Sequence, residues 1–487
     1  MEKSFGNQKG QVLIIMIAII AALTVFGVSL LKLTDPELKI SKRQIDSTKA
    51  FYIAEAGTER ALHNIKENGG IGGFSSLTAS PTEFGGGTYT ISLVATLAGN
   101  EWTIKSVGSY EESTRAIQVD VKVEMISIWG NGVFGGSGAS GKAINGNVDF
   151  RGSVHILGEE LGDDGIALSM SGSAKIGNNY DGIASIFNGK YPALPTTTVN
   201  GIEVDTLNTT LRVKKGKVFL GGSAKVGDPN NDGNTYKETV DGVYVNGEIT
   251  GTEKIFSDNG TENDYDLGNL NIKFPKLADA YTDPVTGVEY VTYKAYLEAE
   301  GSAFPINEIS SAVGIFYYSG VSTNGKTNWI SWNPTTMILE VHGVIIINST
   351  TSTLTIGKNA GNTIFFKGKG TLVSLDPIKD IAIHSHLLSE GMFPYDALGF
   401  ISAYDINIAT GGEAQLRVMG AYYAEHKIKI AGQTQLLGSI VSNDFDMGSQ
   451  VPKIFQVTTL ADNLPPDMPG SVSIYYVTIT NWHEVYD

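Results

Sequence analysis

The chain has 487 residues and a formal net charge of −16, from 51 acidic and 35 basic residues. The length exceeds what one hydrophobic core usually organises and implies two or more units. The charge balance excludes an extended nucleic-acid surface, and the absence of cysteine excludes disulfides and thiolate metal sites. Glycine is abundant at 58 residues with 15 prolines and no G-x-y period, alongside plentiful Val, Ile and Thr, so the chain is neither collagen-like nor disordered. That composition predicts many short strands joined by tight turns.

The first element follows a short polar leader, residues 1–10. QVLIIMIAIIAALTVFGVSLL, residues 11–31, carries no charge. As a helix, Val12 to Leu31 would span ~30 Å, the thickness of a bilayer core. A secretory signal peptide would have a shorter apolar region ended by a small-residue cleavage site. Lysines flank the run on both sides (Lys3 and Lys9, then Lys32, Lys39 and Lys42 with Arg43), so loop charge does not orient it. Residues 32–69 continue as an amphipathic stalk. Phe51, Ala54, Ala61, Leu62 and Ile65 recur at helical spacing, Asp35-Pro36 marks a restart or a kink, and Gly69-Gly70 marks the stop.

Within the stalk stands AFYIAEAG, residues 50–57. A polar leader ending in Gly10, an apolar helix, and then Ala54-Glu55-Ala56-Gly57 within AFYIAEAG resemble the N-terminal region of PilX-type minor pilins of type IV pili. The resemblance covers about residues 1–127. It implies a single-pass anchor in the inner (cytoplasmic) membrane and removal of the leader by a prepilin peptidase between Gly10 and Gln11. It further implies packing of the apolar helix with other pilin subunits in an extracellular pilus. The small residues Ala54, Ala56 and Gly57 would let a sheet pack closely on the helix. Two positions depart from the major-pilin pattern. Gln11 stands where Phe or Met is usual, and Ile15 stands where a glutamate is usual. A subunit without that carboxylate fits most easily at the end of a filament. An ordinary single-span anchor with a helical stalk is the plainer alternative.

Within the next unit, residues 70–127, residues 84–125 alternate with period two. Tyr89, Ile91 and Leu93, then Trp102, Ile104 and Val107, then Ile117, Val119, Val121 and Val123 mark three strands of an antiparallel meander. Gly99-Asn100 and Glu111-Glu112-Ser113 are the turns.

From 128 to 487 the chain is Gly-rich with recurring short β-type runs. GSAKIG (172–177) and GSAKVG (222–227) are nearly identical, and Gly412 and Gly432 head similar words. A repeat of ~20 residues with glycine corners is the signature of a β-solenoid. Residues 256–340 read as an inserted region, with TDPVTG (282–287) as a turn and YKAYLEAEG (293–301) as a short helix. A Greek-key sandwich is the competing architecture. The predicted fold class is therefore mainly β with a long N-terminal α-helix: a pilin-like helix plus antiparallel meander, followed by a β-solenoid, parallel β-helix-like domain.

Candidate chemistry is sparse. GDPNNDGNTY (227–236) spaces Asp228, Asn230 and Asp232 before Gly233, as calcium loops do, with the Asn234 carbonyl and Glu238 available beyond them. An Asx-rich turn that binds nothing is the alternative. GEELGDDG (158–165) and DNGTENDYD (258–266) read as solvated acidic loops. His384 and His386 form an H-x-H pair that could take a transition metal with Glu390 or Asp396, or be hydrogen-bonded histidines. No nucleophile elbow, P-loop, dinucleotide fingerprint or H-E-x-x-H occurs. The reading is a minor-pilin-like structural component, not an enzyme, displaying a β-rich head at a filament tip for assembly or adhesion to a surface or polysaccharide. The alternative is a membrane-anchored β-solenoid enzyme or binding module acting on extracellular polysaccharide.

Overall fold

The computed structural model describes residues 8–67, 80–95, 101–136, 142–162, 164–231, 233, 235–268, 270–349, 353–413, 415–447, 451–471 and 474–485. The chain divides into two compact units, Met1–Ile126 with Ile474–Asp487, and Ser127–Ser473.

The first unit is built on α1, Gln8–Glu67, a 60-residue helix that continues through Pro36 and through the Gly10–Gln11 bond. At 1.5 Å per residue it is ~90 Å long. Its first half is long and apolar enough to cross a membrane. Among the described residues that half packs on nothing: Ile14 is 68% and Phe26 66% exposed. The second half buries one stripe, Ile53, Ala54, Ala61, Leu62 and Ile65, against Tyr89, Ile91, Ile104, Ile117, Val119 and Val121 of a sheet. Strands β1 (Thr82–Phe84), β2 (Gly87–Ala95), β3 (Glu101–Tyr110) and β4 (Ser113–Ile126) follow one another antiparallel. The alternation read in the sequence is what places these side chains on one face. Tyr110 pairs with Ser113, so Glu111-Glu112 is the β3–β4 turn. The Gly69-Gly70 stop and the Gly99-Asn100 turn lie outside the described residues.

One strand was not expected here. Ile474–Val485 pairs antiparallel along β4, from Ile474 opposite Ile126 to Val485 opposite Ala116. The last strand therefore belongs to the helix–sheet unit, not to the Gly-rich region in which residues 128–487 were placed. Residues 127–473 are an insertion between two neighbouring strands of one sheet.

The second unit is a parallel β-solenoid. One inward ladder runs Ile345–Leu372–Phe400–Tyr422–Ile440–Val133–Val154–Leu211–Val243. A second runs Ile364–Leu387–Val418–Leu436–Ile454–Phe150–Ile176–Val226. Every one of these side chains is at most 1% exposed. Phe400 and Tyr422 stack with ring planes 3° apart and centroids 5.0 Å apart. The parallel register excludes the Greek-key alternative, whose strands are antiparallel.

The ladders also show the route of the chain. It enters the solenoid in the middle, at Val133, and builds rungs outward to Val243. It then resumes at the opposite end and returns rung by rung to Ile440, which pairs with Val133. The seam is closed by side chains distant in sequence. Gln456 donates to the Gly130 carbonyl at 2.7 Å and accepts from the Ser153 amide at 2.7 Å.

Residues 256–340 are thus not a loop set between adjacent rungs. Their first part is a strap laid across the rungs. Asn263 accepts from the Val245 amide, Asp266 pairs with Arg212, and Tyr265 meets His155. Phe274 then stacks on Tyr423 at 5.7 Å, Leu277 donates to Glu425, and Lys294 reaches the Leu375 carbonyl. The expected helix forms at Tyr293–Glu300, capped by the Thr292 hydroxyl. The TDPVTG turn is held by Asp283, which accepts from the Val285 amide and the Thr286 hydroxyl. Residues from Ser302 onward already belong to the far rungs, because Ser302–Phe304 pairs parallel with Ile345–Ile347.

Candidate functional sites

The AFYIAEAG stretch is the contact between helix and sheet. Ala50, Ile53, Ala54, Gly57 and Thr58 are buried, whereas Glu55 and Ala56 are half-buried and Tyr52 is exposed. Of the three small residues expected at the contact, Ala54 and Gly57 are therefore at its centre and Ala56 is at its margin. A Cβ added at Gly57 would lie 2.3 Å from Ser106 Oγ and 2.9 Å from the Tyr89 ring. The facing residue Gly108, which the sequence did not single out, does the same from the sheet side. A Cβ there would lie 2.2 Å from the Ala50 carbonyl oxygen and 2.4 Å from the Ala54 nitrogen. Polar contacts rim this close approach. Lys49 donates to the Tyr110 hydroxyl at 2.8 Å, Arg60 to the Tyr89 hydroxyl at 3.0 Å, and Arg115 to Ser47 at 2.7 Å.

Toward the N-terminus, Gln11 and Ile15 are both exposed, within a continuous apolar surface. A surface of this kind needs lipid or other apolar helices around it.

The near-identical words GSAKIG and GSAKVG stack as adjacent rungs, with Lys175 opposite Lys225 and Ile176 opposite Val226. This pairing sets two ammonium groups side by side, and Asp228 sits between them as an ion-pair partner of both. Burial alone would raise the Asp228 carboxyl above its usual range. The hydrogen bonds from Lys175 and Lys225 outweigh burial and hold it below that range. Asn230 turns its side-chain oxygen to the amides of Glu238 at 2.9 Å and Thr239 at 3.2 Å. The two described residues of the expected calcium loop, Asp228 and Asn230, are thus engaged by different protein donors. Asp232 and Asn234 lie outside the described residues. Replacing Asp228 with Asn is expected to destabilise the solenoid by about 2–3 kcal/mol, the loss of charged hydrogen bonds beside two lysines. The drop in melting temperature should be equal in millimolar calcium and in chelator. A calcium-dependent stabilisation that the change abolishes would support the calcium reading.

His384 and His386 have separate partners. His384 Nδ1 lies 3.0 Å from Glu413, while His386 Nδ1 accepts from the Arg417 amide at 2.9 Å. Among the described residues no group of three His, Cys, Asp or Glu side chains is placed to hold a metal ion. Asp396 instead accepts from the Gly368 and Gly391 amides. A histidine the sequence did not flag is the most deeply buried. His155 bonds Tyr265 at 2.8 Å, and burial, with Arg212 and Lys214 nearby, pushes it down to about 3. It is a neutral packing group under the strap.

No protein-family model and no curated protein matches the chain. Among solved structures, the chain is similar to the competence-associated pilin ComZ from Thermus thermophilus. The TM-score is 0.54 at 20% sequence identity, and the match covers 90% of this chain and 97% of that one. The likeness is one of fold: a long N-terminal helix with a β-rich remainder.

Proposed function

We propose that the chain is a minor-pilin subunit of a type IV pilus, of the PilX-like kind, and that it acts as a structural and interaction protein without catalysis. One observation carries the reading. A single helix has an exposed apolar half, and its other half is packed into an antiparallel sheet through AFYIAEAG. The fold shared with a competence-associated pilin supports it. In this reading the chain first sits as a single-pass protein in the inner membrane. A prepilin peptidase cuts between Gly10 and Gln11, and the apolar half of α1 then packs with other pilin helices in the extracellular filament. That Ile15 offers no carboxylate to a neighbouring subunit supports a position at the filament end, with the solenoid displayed outside.

Mass spectrometry of the chain from sheared filaments tests both parts. Gln11 as the first residue and a few copies per filament are the expected result. Retention of Met1, cleavage after residue 31, or abundance as the bulk subunit would overturn the assignment.

A further inference from the structure

The strap at residues 256–277 hides a second row of side chains. One residue along from the inward ladder of Tyr422, Ile440, Val133 and Val154 runs an outward row, Tyr423–Val441–Phe134–His155–Arg212. Period two turns these side chains away from the solenoid interior. The first four are nevertheless at most 1% exposed. The strap covers them: Phe274 stacks on Tyr423, Tyr265 bonds His155 and Asp266 holds Arg212.

His155 is the one member of this row that gains charge in acid. Its ring meets Phe134 edge-on at 5.1 Å, and its Nε2 lies 2.8 Å from the Tyr265 hydroxyl. The next rung sets Arg212 beside it, and Lys214 stands nearby. The neighbouring carboxylates are already taken, Asp266 by Arg212 at 2.8 Å and Glu159 by Lys214 at 2.7 Å. Among the described residues no carboxylate contacts His155 itself. An imidazolium under the strap would therefore lose its water and face two cations without a counter-charge.

We propose that residues 256–277 form an acid-releasable cover, in which uptake of a proton by His155 drives the segment off the rungs and bares the row from Tyr423 to Phe134. The rungs stay paired, because the inward ladders consist of Val, Ile, Leu, Phe and Tyr, none of which charges in acid. The sign follows from the two forms of the segment. Released, His155 takes its proton near its ordinary 6.5; covered, it is pushed down to about 3, chiefly by burial. Falling pH between these values favours release, by up to ~10-fold per pH unit. Glu425 works in the opposite direction. It accepts from the Leu277 amide of the strap, burial holds its carboxyl above the usual range, and its protonation favours the covered form. The inference stands independently of the pilus assignment.

The test is hydrogen exchange of the full chain in detergent, read by mass spectrometry from pH 7.5 to 5.0 and corrected for the intrinsic rate. The lower limit stays above the usual carboxylate range of ~4. Peptides across 256–277 should open about thirtyfold more at pH 5.0 than at pH 7.5, with a limiting slope of one proton. Rung peptides across 436–445 should keep their protection. Hydroxyl-radical footprinting should label Tyr423 and Phe134 at pH 5.0 and not at pH 7.5. His155→Gln, which keeps a partner for Tyr265, and His155→Phe should each abolish the pH dependence of the segment. His483→Gln, in the other unit, should leave it intact. Uniform strap protection across this range overturns the inference, as does a pH dependence that both His155 variants retain. Loss of rung protection together with that of the strap, or opening without labelling of Tyr423, also overturns it. If neither His155 variant folds, the parent decides alone, a one-proton slope supporting the inference and a flat profile overturning it.

Discussion

Replacing Gly108 with valine is expected to unfold the helix–sheet unit while the solenoid stays folded. The reason is the identity of the atoms in the way. A Cβ at Gly108 would meet the Ala50 carbonyl oxygen at 2.2 Å, the Ala54 nitrogen at 2.4 Å and the Ala54 Cα at 3.0 Å, all of them helix backbone. No rotamer change relieves that, so α1 must back away from β3 and the core from Ile53 to Ile65 opens. Overpacking that side chains can absorb costs ~1–3 kcal/mol. Here the cost should reach the top of that range or exceed it, a large share of a usual stability of ~5–15 kcal/mol. Gly57→Ala is the informative contrast. Its closest contact is the Ser106 hydroxyl at 2.3 Å, a side chain, so Ser106→Gly should recover part of the loss in the double variant. Melting of the intact protein in detergent, followed by near-ultraviolet circular dichroism, reads both. A Gly108→Val variant that melts like the parent would show that helix and sheet do not depend on this approach.

Removal of residues 474–487 is expected to have a comparable effect on the same unit, although those residues follow the solenoid in sequence. The strand pairs along most of β4, from Ile126 to Ala116. Val477 packs on the unit's core, and the Trp482 ring meets Phe51 of the helix at 6.1 Å. Glu484 pairs at 3.0 Å with Arg115, which also holds Ser47. Backbone pairs at ~0.5–1.5 kcal/mol each, summed along such a strand, amount to most of a small unit's stability. Scanning calorimetry of the truncated chain should show the helix–sheet transition lost and the solenoid transition kept. Loss of both together would mean that the two units do not fold separately, and loss of neither would mean that the last strand is dispensable.

The two cases differ in how much the sequence showed. AFYIAEAG was legible because small residues at helical spacing can serve only a close approach. What approaches was not legible: nothing around Gly108 in GSVGSY distinguishes it from a turn or a weak strand position. The acidic loop was only partly legible for a related reason. Alternating Asp and Asn at 228–232 has calcium-like spacing, but that Asp228 pairs with Lys175, 53 residues away, follows only from rung stacking. Residues 256–340 looked like an insertion because they lack the repeat. Their first part is a strap because the rungs on either side of it lie at opposite ends of the ladders, and from Ser302 onward they are rungs themselves.

The sequence by itself determined the local elements of this protein. An uncharged run long enough to cross a bilayer, a stalk with one apolar stripe, period-two strands and Gly-cornered repeats each follow from residues within a few positions of one another. Short-range sterics and hydrophobic periodicity act over those distances. Only the tertiary structure decided the partners: the strand at 474–485 beside β4, the rung of Ile440 beside that of Val133, and Tyr265 of the strap against His155. Strand pairing is carried by backbone groups that every residue possesses. Side-chain pattern therefore says which face a strand buries, and leaves the choice of neighbour to the packing of the whole chain.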